Sequence, residues 1–108
     1  MNRPTVSVIR LTGELEIGRK AEMRDSLRLA GDEQSVLVDF SEVTYADSAT
    51  LAELVRFHNE AEKAGVPVAI VVGDQRFTRL LQYAGLAEAF AVFDDRSSAL
   101  TFLSEKTR

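Results

Sequence analysis

The sequence predicts one α/β domain over residues 1–108, with a mixed β-sheet of about four strands and four α-helices in alternating βα order. Three observations carry that prediction. A chain of 108 residues can build one core but not two. Its hydrophobic period switches repeatedly between 2 and about 3.6 residues, the signatures of strand and helix. The helical patterns stop at Gly31, Gly65 and Gly85, the residue type that most easily takes the left-handed position past a helix end. Strands separated by helix-length segments need crossover connections, so the sheet is expected to be at least partly parallel.

The elements follow in order. Val6, Val8 and Leu11, with Ser7, Arg10 and Thr12 among them, read as a strand ending at Gly13. From Gly18 to Ala30, the residues Ala21, Met23, Leu27 and Ala30 fall at roughly helical spacing. Val36, Leu37, Val38 and Phe40 form a nearly continuous apolar run, expected of a strand covered on both faces. A short loop is then expected before the clearest helix, where Leu51, Leu54, Val55, His58 and Ala61 make an inner stripe. Glu53, Arg56, Glu60 and Lys63 are assigned to its solvated outer face. Pro67 leads into a buried strand at Val68 to Val72. Asp74 is placed to cap a helix carrying Phe77, Leu80, Leu81 and Ala84. Ala91, Val92 and Phe93 make a last strand, and Asp94 or Asp95 caps a final helix with Ala99, Leu100 and Leu103 inward.

Composition narrows the function classes. The chain is 45% apolar and 28% charged, ordinary for a globular domain. Its formal charge of −4 argues against nucleic-acid binding, which depends on a basic surface that displaces counterions. The longest apolar run, Val66 to Val72, is far short of the ~18 to 20 residues that span a bilayer. The first residues lack the basic start and apolar stretch of a signal peptide. Cysteine is absent, which removes disulfides and thiolate metal sites. A soluble, cytoplasmic protein with no membrane insertion is the expectation.

The chemistry-bearing residues are few. A strand delivers Asp47-Ser48 to the start of the best helix, where α/β folds keep working surface. Ser48 could cap that helix, and so could Thr50, because Thr50-Leu51-Ala52-Glu53 fits a capping box. A phosphate on Ser48 would meet a favourable helix dipole while adding about two negative charges beside Asp47 and near Glu53. As a plain cap, Ser48 would carry no signal, and Asp47 reads equally as a structural loop residue, capping or turning the chain, and as a recognition residue. His58 reads as a boundary side chain, with no second histidine to share a metal. A Ser48–His58 catalytic pair is excluded by about 15 Å of helical rise. Asp94-Asp95 reads as a cap pair, and Gly73-Asp74 as a turn with no phosphate-loop lysine after it. No catalytic residue, metal or cofactor is expected.

Several motifs together resemble one family. Gly13-Glu14-Leu15-Glu16 after the first strand, Val38-Asp39-Phe40-Ser41, and Thr44-Tyr45-Ala46-Asp47-Ser48-Ala49-Thr50-Leu51 are similar to elements of STAS domains, the family of anti-sigma-factor antagonists. Leu81-Gln82-Tyr83-Ala84-Gly85-Leu86 and the span from Phe93 to Leu100 continue the likeness. The resemblance implies a non-enzymatic binder. Unphosphorylated, it holds an anti-sigma factor that is also a serine kinase of the GHKL type; phosphorylation at Ser48 releases it, and a PP2C-type phosphatase resets it. The implied docking surface is Tyr45, Asp47, Ser48, Thr50 and Glu53.

Two departures stand out. Ala49-Thr50 replaces the family's small pair ending in glycine, and Met1 to Thr5 supply little of an extra first strand that many members have, which would leave an edge open to a partner or a second copy. The same fold also serves as a non-phosphorylated subunit gripping the ATPase of an ABC-type lipid transporter, a branch in which Ala often follows the Asp-Ser. A stressosome-like scaffold component and the regulatory tail of a sulfate transporter are further alternatives, the last disfavoured by the absence of a preceding membrane segment.

Overall fold

In the computed structural model, which describes residues 6–86 and 88–107, the chain runs β1 (Val6–Leu15), α1 (Lys20–Ser26), β2 (Ser35–Ala46), α2 (Ser48–Ala64), β3 (Val68–Val72), α3 (Gln75–Tyr83), β4 (Ala91–Phe93) and α4 (Arg96–Lys106). The four strands lie in the order β1-β2-β3-β4, each parallel to its neighbours. The sheet is therefore parallel throughout the described residues where a mixed one was expected. The expectation that Met1 to Thr5 supply little of an extra first strand concerns residues outside those described.

That strand order decides where the helices go. A sheet that grows in one direction through crossovers of one hand puts all of their helices on one face. Accordingly Met23 of α1, Leu54 and Phe57 of α2, and Phe77 and Leu81 of α3 pack together on Val36, Val38, Phe40, Ile70 and Val72. Helix α4 follows the last strand, crosses nothing, and folds over the other face, where Ala99 and Leu103 cover Leu37, Ala69 and Val71. Alternate residues of β2 thus enter two separate cores, as the two-residue strand period requires.

Several boundaries differ from the sequence reading. Strand β1 does not end at Gly13, which sits inside it with φ +79°. Helix α1 is a single short piece, preceded by a 3-10 turn at Ile17–Arg19, and it stops at Ser26 rather than at Ala30. The stretch Ser41 to Ala46, expected as a loop, continues β2. Leu100 points outward from α4 rather than inward. Of the two caps expected for that helix, Asp95 is the one used, accepting from the Ser98 N–H at 2.7 Å. Helices α2 and α3 end at Gly65 and Gly85 as their patterns predict.

Candidate functional site: the rim at the ends of strands β1 and β2

Beyond Phe40, strand β2 has no partner on its β3 side and pairs only with β1. There the two strands lose their even register: Arg10 faces Asp39, but Thr12 faces Glu42 and Glu14 faces Tyr45. Twelve residues of β2 accompany ten of β1, so β2 bulges outward twice. The positive φ of Gly13, which only glycine takes without strain, lets the carbonyls on either side of it turn towards one cation. That cation is Arg19, whose guanidinium donates to the Thr12 carbonyl at 2.7 Å and the Glu14 carbonyl at 2.9 Å. Glu16 then accepts from the Gly18 N–H at 3.0 Å and starts the 3-10 turn. The Gly-Glu-Leu-Glu element is thus a clamped bend.

The bend aims the Leu15 carbonyl at the start of α2. It accepts from the Asp47 N–H at 3.2 Å and from the Thr50 hydroxyl at 2.7 Å, so the end of β1 is tied to the first turn of the helix. Asp47 is the N-cap: its carboxylate accepts from the Thr50 N–H at 3.1 Å. Of the residues that could cap the helix, Asp47 therefore has the role, and Ser48 and Thr50 do not. Ser48 is the first helical residue, exposed, and its hydroxyl has no hydrogen-bond partner among the described residues. Tyr45, 55% exposed, lies three residues before it near the end of β2, and Asp47 is half-buried.

Two of the five expected surface residues are not on the surface. Thr50 is fully buried by its bond to Leu15. Glu53 is only 3% exposed, one turn into α2 and facing α1 instead of solvent. Its carboxylate receives Arg24 at 2.9 Å from α1 and Arg56 at 2.9 Å from its own helix, while Arg56 also donates to the Leu27 carbonyl at 3.0 Å. The Arg24 hydrogen bond, with Arg56 behind it, holds the Glu53 carboxyl below its ordinary pKa. Its charge is thus neutralised locally and does not add to an acidic patch at the helix tip.

A second buried carboxylate anchors the opposite face. Asp39 on β2 accepts from the Ser41 N–H at 2.9 Å and from Arg96 of α4 at 2.7 Å. Burial pushes the Asp39 carboxyl upward, but the bonds from Ser41 and Arg96 outweigh it and hold the pKa below normal. His58 lies half-buried with its ring 4.7 Å from that of Phe90.

Sequence reasoning missed the groove next to this rim. Val43, Thr44, Tyr45 and Ala46 form one wall, and Asp74, Arg76, Phe77 and Leu80 of the α3 segment form the other, around a cavity of about 300 Å³. Asp74 caps α3 and its carboxyl is held down to about 2, chiefly by the Arg76 guanidinium at 2.7 Å. The one available signal was the strand-forming run Val43-Thr44-Tyr45, hidden by its polar neighbours.

The model of the family described as "Mlab, STAS domain" matches residues 2–94. This chain belongs to the STAS domain family. No curated protein matches the chain significantly. Among solved structures, a sulfate transporter family protein from Wolinella succinogenes superposes on this STAS domain with a TM-score of 0.82 at 20% identity, over 94% of this chain and 86% of that one. The anti-sigma factor antagonist SpoIIAA in its unphosphorylated form gives 0.77 at 18% identity, over 97% of this chain and 93% of that one. The phosphorylated form of SpoIIAA, described as a Bacillus cell fate determinant, gives 0.70 at 19% identity, with 95% of each chain covered. At these identities the likeness is one of fold, and it agrees with the α/β STAS architecture expected from the sequence. No helix among the described residues is long and apolar enough to cross a membrane.

Proposed function

We propose that this STAS domain is an anti-sigma-factor antagonist, a cytoplasmic binder whose hold on an anti-sigma factor with GHKL-type serine kinase activity ends when Ser48 is phosphorylated. A PP2C-type phosphatase restores the binding form, and the chain performs no catalysis. The observation that carries this reading is the free Ser48 hydroxyl at the first position of the longest helix, with the capping duty taken by Asp47. A phosphate there adds about −1.5 to −2 charges next to unpaired helix N–H groups, a place where an anion is tolerated. It breaks no bond that holds the fold. A partner seated on Tyr45 and Asp47, by contrast, meets new charge and bulk. SpoIIAA, similar in fold, has been seen in both phosphorylated and unphosphorylated forms.

A second reading is favoured by one residue and one likeness. Ala49 follows the serine, and the matching family model carries the Mlab description. In that reading Ser48 stays unmodified and the same rim grips the ATPase of an ABC-type lipid transporter.

The deciding experiment is purification of the tagged protein from its native cell, with intact mass and partner identification, followed by calorimetry of Ser48→Ala and Ser48→Asp against the recovered partner. A serine-kinase partner, a phosphate-sized mass increment at Ser48, retained binding by Ser48→Ala and lost binding by Ser48→Asp are expected. An ABC ATPase partner with unmodified Ser48, or equal binding by the two variants, overturns the switch.

A further inference from the structure

The groove between the end of β2 and helix α3 has a chemistry unlike the rest of the surface. Its walls are mostly apolar: Val43, Ala46, Phe77, Leu80 and the ring of Tyr45. Phe77 packs edge-on against Phe40 behind it, with ring centres 5.4 Å apart. At about 300 Å³ the cavity is at the small end of ligand pockets, which run from roughly 300 to 1,000 Å³. That size suits one or two anchoring side chains presented by a longer segment. A half-exposed tyrosine over an apolar floor is the usual composition of a protein-binding hot spot.

Charge identifies what the segment carries. The chain is acidic overall, at −4. Helix α3 alone among the four helices holds no acidic residue, and it carries Arg76 and Arg79. The one carboxylate on the groove's rim, Asp74, and the Arg76 guanidinium hold each other at 2.7 Å, which leaves Arg79 as the cation of α3 with no ion pair among the described residues. Arg76, Arg79, Leu80 and the exposed Tyr83 recur at helical spacing and share one face of α3. Two arginines are too few for a nucleic-acid stripe, and the apolar area is too narrow for a membrane surface.

We propose that this groove docks an acidic amphipathic segment of a protein partner, with apolar anchors against Phe77 and Leu80 and carboxylates facing Arg79. The proposal rests on the reading of this chain as a protein-binding module and names the chemistry of its partner. It also ties the groove to the switch, since the Ala46 wall lies two residues before Ser48. A phosphate at that point repels an acidic segment entering the same rim.

Selection of random twelve-residue peptides displayed on phage against the intact protein tests this directly. The expected winners pair leucine or aromatic anchors with flanking Asp and Glu, and lose about tenfold or more in affinity for Leu80→Glu and for Arg79→Glu. Arg79 is exposed, so its variant keeps the test valid if Leu80→Glu folds poorly. No enrichment, enrichment of basic peptides, or winners that bind both variants as they bind the native protein overturns the proposal. Affinity of the winning peptides for Ser48→Asp reports separately on the switch: an unchanged value leaves the groove standing and counts against phosphorylation control.

Discussion

Strand β2 is two strands in one. Its first six residues, Ser35 to Phe40, are all buried, whereas of the next six, Ser41 to Ala46, only Val43 is. The inner half is paired on both edges and covered on both faces. The outer half has lost β3 as a neighbour, bulges twice against β1, and offers Thr44 and Tyr45 to solvent. The division comes where β3 leaves the sheet at Gly73. A Cβ at that position would collide with the Ser41 carbonyl oxygen, so only glycine lets the chain pass so close. The inner half therefore makes the domain stable, and the outer half, released from packing on one side, is free to be a binding rim.

Substitutions in the two halves should have opposite consequences. The largest effect is expected for Phe40→Ala, which empties a site 1% exposed at the meeting of β2 and α3. A loss of about 3–5 kcal/mol in urea unfolding is expected, and a loss under about 1 kcal/mol would break the comparison at its stable end. An intermediate effect is expected for Thr50→Val, which keeps the shape but removes the hydroxyl bonded to Leu15. It should cost about 1–2 kcal/mol and speed amide exchange at the first turn of α2, because the tie between β1 and α2 is gone. No change in either measurement would mean that the rim is held by packing alone. Tyr45→Ala should be smallest in stability, within about 0.5 kcal/mol in the same unfolding assay. It should nevertheless weaken partner or peptide binding about tenfold, and a variant that binds as well as the native protein would remove Tyr45 from the docking surface.

Much of the fold was legible. The apolar run at Val36 to Phe40, the helical stripe ending at Gly65 and the Asp74 cap were all read from neighbours a few residues apart, and the structure has them where they were expected. The outer half of β2 was not, because its single buried residue, Val43, sits among polar ones and its pairing appears only once β1 continues past Gly13. Leu100 was assigned inward by composition, but α4 meets the sheet along the narrow line of Ala99 and Leu103. In the candidate site, Tyr45, Asp47 and Ser48 lie at the rim, while Thr50 and Glu53 are inside. A glutamate at helical spacing among charged residues looks solvated unless one knows that Arg24 of α1 arrives beside it.

Taken alone, then, the sequence determined the βα alternation, the strand and helix types, most of the helix ends and the position of Ser48 at a helix start. Those depend on periodicity and capping, which act over a handful of neighbouring residues. Tertiary structure decided which hydroxyl is free, which carboxylates are buried and where the groove opens. Those outcomes join Leu15 to Thr50 across 35 residues, Arg24 to Glu53 across 29 and Asp39 to Arg96 across 57. A polar side chain can be buried only where a partner meets it, and that partner is brought by the fold rather than by the local chain.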